Sequence, residues 1–256
     1  MSETPLKVSL EREGQLLCLT LARPKANIVD AAMIASLRTA LTEYLPQPKL
    51  RAVLLAAEGP HFSFGASVDE HMPELCAGML KSLHALVLQL VASPVPVLVA
   101  VKGQCLGGGL EVVLSGNLIF AAPGAMLGQP EIKLGIYAPA ASCLLPERIG
   151  QAQAEDILFS GRSLTAEEAL RIGLLTAVAE DPDQAVLAYF DQYLAPLSAS
   201  AIRFAVRAAR TDLVKRIAAR IADVEKLYLE ELMATHDAVE GLTSFVAKRP
   251  AVWQDR

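Results

Sequence analysis

Aromatic residues are scarce in this chain: phenylalanine, tyrosine and tryptophan make up 5% of 256 residues, with one tryptophan. The interior must then be built mainly of Ala, Val and Leu, since apolar types together reach 53%. Cysteine is also sparse. Cys18, Cys76, Cys105 and Cys143 form no C-x-x-C pair, and His61, His71, His84 and His236 add no metal-ligand spacing. A disulfide framework and a structural metal site are therefore not expected, and a reduced, cytoplasmic protein is the plain reading. The histidines read as surface or loop residues. Positive charge is short as well: 23 Lys and Arg face 28 Asp and Glu, a net charge of −5, which argues against a nucleic-acid partner. No apolar run is long enough for a membrane span. Leu83 to Val101 is interrupted by His84, Gln89, Ser93, Pro94 and Pro96, and its prolines divide it into a helix and a short strand. The opening Met1-Ser-Glu-Thr-Pro-Leu-Lys has no apolar signal region.

The common nucleotide and hydrolase motifs are missing too. The glycine run at 107–109 continues Leu-Glu-Val, not the Lys-Ser/Thr of a phosphate-binding loop. G-x-G-x-x-G would need glycine where Val112 stands, and no G-x-S-x-G elbow occurs.

What is present is a chain of alternating strands and helices. Lys7 to Arg12 and Leu16 to Leu21 read as a hairpin around Glu13-Gly14. Asp30 is positioned to cap a helix over 31–44, followed by a strand at 51–57. A helix ends near Ala92, a strand follows at 95–101, and further strands are expected at 117–122 and from 125. Thr165-Ala-Glu-Glu168 is a capping box. This alternation implies parallel pairing and an α/β class. From Ser198 no strand candidate remains, so the boundaries read as 1–197 for an α/β core and 198–256 for a helical segment. Arg203, Arg207 and Arg210 read as a polar helix face.

The strand at 95–101 runs into glycines 103 to 109, and a helix opens with Glu111 in its first turn. Bare backbone there lets a carbonyl oxygen approach N–H groups, and the helix dipole adds positive potential. That combination suits an oxyanion hole with a carboxylate beside it. Glu131 follows Pro130 in Gly128-Gln-Pro-Glu131. Either glutamate taken singly also fits a plain helix-start acid.

Three ordered motifs form a pattern: Phe62-Ser-Phe-Gly-Ala66-Ser67-Val68, Gly107-Gly-Gly-Leu-Glu111 and Gly128-Gln-Pro-Glu131. In these the chain resembles the crotonase (enoyl-CoA hydratase/isomerase) superfamily, from Ala22-Arg23-Pro24 to Phe245-Val-Ala-Lys248. The resemblance implies a ββα spiral core with a C-terminal helical trimerisation segment, assembled as a trimer or a dimer of trimers. It implies an acyl-CoA substrate, no cofactor beyond that coenzyme A, and no metal. The backbone N–H groups of Ala66 and Gly108 would hold the thioester oxygen. Glu111 would activate water and Glu131 would transfer the proton to carbon, with these roles reversible. Arg23, Ala26, Ser67, Val68, Phe245 and Lys248 match positions around CoA, the last two usually supplied by a neighbouring subunit.

The chain departs from the common pattern at Ser67 and in Gly135-Ile-Tyr137-Ala-Pro139-Ala-Ala-Ser142, where relatives carry several glycines. That segment lines the acyl pocket in relatives, so Tyr137, Pro139 and Ser142 imply an acyl group other than a simple linear enoyl chain. The departures match a branch of the family that hydrates a cyclic conjugated thioester. A linear hydratase or isomerase and a non-catalytic acyl-CoA binder are the alternatives.

Overall fold

The computed structural model describes residues 4–256. Strands β1 (Leu6–Glu11) and β2 (Leu16–Leu21) pair antiparallel with Leu6 opposite Leu21, the expected hairpin. Helix α1 (Ala31–Tyr44) begins where Asp30 accepts the Met33 N–H at 2.9 Å. Next come β3 (Ala52–Ala57), α2 (Cys76–Val91), β4 (Val97–Val101), β5 (Gln104–Leu106), α3 (Gly108–Leu114), β6 (Leu118–Ala121) and β7 (Met126–Gly128). The chain continues through α4 (Pro139–Ile149), α5 (Gln151–Ser160), β8 (Ser163–Thr165), α6 (Ala166–Arg171), β9 (Ala177–Val178) and α7 (Pro182–Tyr189). Two helices close it, α8 (Ala199–Glu230) and α9 (His236–Val246).

The main sheet has the order β1-β2-β3-β4-β6-β9, and every pairing after the first hairpin is parallel. A second sheet has three short strands in the order β5-β7-β8. The α/β class read from the sequence is the class observed. Strand side chains alternate between faces. Val53, Leu55, Val97 and Val99 face one side, in the same cluster as Met33 and Leu37 of α1 and Leu83 and Val87 of α2. Leu54, Leu98 and Phe120 face the other, covered by Val186 and Phe190. Burial on both faces explains why β3 and β4 are wholly apolar.

Helix α8 is long but buries only Ile202, Ile217, Ile221 and Tyr228. Ile217, Ile221 and Tyr228 belong to the same cluster as α2 and α4. The reading of its arginines as a mere polar face is corrected for two of them. Arg203 donates to the Leu45 and Gln47 carbonyls, and Arg210 to the Ser115 carbonyl and Asn117 Oδ1. Both satisfy oxygens left open at the ends of core elements, so they fasten α8 down. Arg207 lies over the Phe204 ring. Among the described residues no helix is long and apolar enough to cross a membrane.

Candidate active site

The edge of β4 feeds the glycine turn and the short β5, after which the backbone makes a conformation suited to glycine. Gly107 has φ 52° and ψ −131°, a region that side chains disfavour. A Cβ at this residue would stand 2.5 Å from Glu131 Oε1, so the bare glycine is what lets that carboxylate lie on the turn. Gly108 is equally crowded: a Cβ there would meet Ala66 Cβ at 2.9 Å and Ala66 N at 3.1 Å. The loop bearing Ala66 is held by Ser63, whose hydroxyl donates to the Asn27 carbonyl and accepts the Gly65 N–H.

Two backbone N–H groups thus come side by side, those of Ala66 and Gly108. Neither has an acceptor among the described residues. Gly108 opens α3, where the first N–H groups of a helix have no partner within it.

Glu111 lies one turn further along α3 and is 3% exposed. Its Oε1 accepts the Ala141 N–H at 2.9 Å, in the first turn of α4, which Pro139 opens. Burial pushes its pKa up, while His84 and the α4 amides pull the other way. Glu131 stands on a 3₁₀ turn (Pro130–Leu134) between β7 and α4 and is partly buried. Its carboxyl is pushed up to about 8, first by burial and then by the charge of Glu111. Gln129, 1% exposed, donates to both Glu131 oxygens at 3.0 and 3.2 Å once its amide nitrogen faces them. Both carboxyls are thus displaced upward by burial, and Glu131 keeps a proton near neutral pH; carboxyls shifted this way can serve as general acid or base.

The remaining sequence-derived positions are distributed as follows. Tyr137 is partly buried and its hydroxyl donates to the Val224 carbonyl at 2.6 Å. Pro139 is buried at the start of α4, beside the amides that bind Glu111. The Ser142 hydroxyl donates to the Ala138 carbonyl of its own turn. Arg23 makes a two-point pair with Asp30 at 2.8 and 2.6 Å and donates to the Ile28 carbonyl. Ala26 accepts the Phe64 N–H, and Ser67, between Ala66 and the half-buried Val68, is bonded through its carbonyl to His71 Nδ1. Phe245 (53% exposed) and Lys248 sit on the surface at the end of α9.

Three residues near the carboxylates were not assigned from the sequence. Gln129 is one, hidden in an unremarkable Gly-Gln-Pro. His84 was expected at the surface or in a loop; it lies instead on α2, 2% exposed, with Nδ1 2.5 Å from Glu225 Oε2. The partner is on α8, which covers that face of α2, and no local spacing reveals a cover so distant in the chain. Tyr228 of α8 is the third, fully buried against Tyr137.

A pair of free amides beside one buried and one partly buried acid, on a parallel sheet closed by C-terminal helices, is an arrangement suited to acyl-transfer and enolate chemistry. The enoyl-CoA hydratase/isomerase family model matches residues 11–256, and the chain belongs to that family. It is 67% identical, over the full length of both chains, to a cyclohexa-1,5-dienecarbonyl-CoA hydratase from Thauera aromatica. Among solved structures it resembles an enoyl-CoA hydratase/isomerase from Pseudoalteromonas atlantica T6c, with TM-score 0.84, 30% identity, and 97% and 99% of the two chains covered. An enoyl-CoA hydratase/isomerase from Mycobacterium paratuberculosis shares the fold at TM-score 0.86 and 23% identity, with 94% and 98% covered.

Proposed function

We propose that this protein is a hydro-lyase that adds water to cyclohexa-1,5-diene-1-carbonyl-CoA, giving 6-hydroxycyclohex-1-ene-1-carbonyl-CoA in anaerobic benzoyl-CoA degradation. The full-length identity to the Thauera hydratase supports the substrate. The observation that carries the chemistry is the pair of carboxyls, both raised in pKa by burial, beside two unpartnered amides.

The thioester oxygen accepts from the Ala66 and Gly108 N–H groups, so electrons can move onto it; each such donor is worth about 3 kcal/mol at the transition state. Glu111, held by α4, takes a proton from water as the oxygen bonds to the β-carbon. The dienolate electrons return through the ring, the remaining double bond shifts, and Glu131 delivers its proton to the far carbon of the conjugated system. Two O–H bonds break, one of water and one of Glu131; one O–H bond forms on Glu111, one C–O and one C–H bond form on the ring, and one carbon–carbon π bond is lost. Glu111 leaves the step protonated and Glu131 ionised, so a proton exchange with water resets the pair.

Arg23 and Lys248 supply positive charge for the CoA phosphates, with Phe245, Ala26, Ser67 and Val68 around the nucleotide and pantetheine. Tyr137, Pro139 and Ser142 shape the acyl pocket, and the coenzyme A of the substrate is the only cofactor. We assign a trimer or a dimer of trimers, which exposed Phe204, Phe245 and Val246 support as faces to be covered. The four free, buried cysteines suit a reducing cytoplasm.

Incubating the pure protein with the cyclic dienoyl-CoA and with crotonyl-CoA in deuterated water tests this reading. Faster turnover of the cyclic diene, with deuterium at the ring carbon remote from the new hydroxyl, is expected. Preference for crotonyl-CoA would make it a linear hydratase instead.

A further inference from the structure

Among the described residues, three buried side-chain polar atoms have no hydrogen-bond partner: Arg23 Nε, His84 Nε2 and the Tyr228 hydroxyl. An orphaned buried hydroxyl costs stability, and a folded chain retains few of them. Tyr228 is the informative one because it has a near twin. Tyr137 meets it edge to face, with ring centroids 5.3 Å apart. The Tyr137 hydroxyl is satisfied by Val224. The Tyr228 hydroxyl is left open, on α8, which packs against α2 and α4, and it lies close enough to Glu131 and Glu111 to feel their charge.

Its surroundings narrow what the missing partner is. Burial and the nearby charges of Glu131 and Glu111 hold the phenol well above its ordinary pKa, so it remains a donor at any physiological pH. The thioester oxygen is already served by the Ala66 and Gly108 amides. The transferred protons are served by the two carboxylates. The oxygen of the attacking water, which becomes the product hydroxyl, still lacks a donor. Water gives one proton to the base and attacks with one lone pair, which leaves its second lone pair free to accept.

We propose that Tyr228 donates a hydrogen bond to the oxygen that is added to the ring, holding it as water before addition and as alcohol after. This rests on the hydration reading above. The phenol forms and breaks no covalent bond; it fixes the oxygen over the β-carbon while Glu111 takes the proton. The hydroxyl makes no hydrogen bond within the chain, so it can donate to this oxygen without breaking one.

Tyr228→Phe removes one oxygen and keeps the ring. Compared with wild type, it should lower kcat on the cyclic dienoyl-CoA about tenfold, the value of one lost hydrogen bond, with KM within about threefold. Its Tm should hold or rise, because an unsatisfied group has been removed, whereas Tyr137→Phe should lower Tm by freeing the Val224 carbonyl. An unchanged kcat, or a Tm loss matching that of Tyr137→Phe, would overturn the assignment. If wild type turns over neither thioester, the hydration reading fails on its own. Affinities for 6-hydroxycyclohex-1-ene-1-carbonyl-CoA and its deoxy analogue then decide: Tyr228→Phe should erase about tenfold of preference for the hydroxylated ligand. Equal ratios in the two proteins reject the proposal.

Discussion

Glu111 and Glu131 are the same residue type in one pocket, yet they are seated by different kinds of structure. Glu111 grows from α3, packed between α2 and α4, and its carboxylate meets an amide at the start of α4. Glu131 stands on a short 3₁₀ turn with Pro130 before it and Gly135 after it, and no regular element fixes it. Its turn is clasped from outside by the end of the chain. A Cβ at Gly135 would meet the Asp237 carbonyl at 2.8 Å and Trp253 at 3.0 Å, and one at Gly241 would overlap the Leu134 carbonyl. Burial raises the pKa of both carboxyls; His84 and the α4 amides pull Glu111 back, whereas the charge of Glu111 pushes Glu131 further up. In the proposed reaction these unlike seats, not the residue types, assign the roles of base and acid.

Removing either acid gives the largest expected effect. Glu111→Gln leaves water without a base, although the amide oxygen still accepts from Ala141 and the fold survives. Glu131→Gln leaves the far carbon without a proton. Each should lower kcat by about 10² to 10⁴-fold, the range for general acid–base groups, in steady-state turnover of the cyclic dienoyl-CoA. If one variant retains near-normal turnover, a single carboxylate suffices and the division of labour is wrong.

A subtler break leaves both acids in place and disturbs only the looser seat. Gly107→Ala puts a methyl group 2.5 Å from Glu131 Oε1 and strains a backbone at φ 52° and ψ −131°. Glu131 must move by about an ångström, and misplacement of that size costs on the order of 10²-fold in kcat. Thermal unfolding measured alongside separates displacement from a general loss of fold. A variant that folds with unaltered kcat would show that the glycine does not position the acid.

The contrast between the seats also separates what the sequence disclosed from what it concealed. The hairpin, the Asp30-capped helix and the buried strands β3 and β4 are legible because their signals are local: a turn, a cap, an apolar run. The glycine turn and both glutamates are legible for the same reason. The second sheet is not, since strands of three residues carry no periodicity. Neither are the groups that complete the site. His84 looks like an isolated polar residue on an apolar helix until Glu225 arrives from α8, 141 residues later. Tyr228 sits in a helix so polar that burial at one position leaves no trace in its pattern. Gln129 acquires meaning only when the turn folds its amide over the next carboxylate but one.

The smallest effect tests whether the two seats sense each other. As the acid, Glu131 must be protonated, so kcat/KM should decline as pH rises through about 8. Part of that elevation is the charge of Glu111, and the larger part is burial. In Glu111→Gln the charge disappears while the burial stays. The alkaline limb of its residual activity should then move to lower pH by about one unit or less, without reaching the range of a solvated glutamate. Stability carries the same sign. A carboxyl whose folded pKa lies above its unfolded value stabilises the chain at low pH and loses that contribution as pH climbs from about 4.5 to about 8. Glu131→Gln should therefore gain most in Tm over wild type above pH 8 and least below 4.5. A limb that stays in place in Glu111→Gln would mean that the acids titrate independently and that burial alone sets the proton affinity of Glu131.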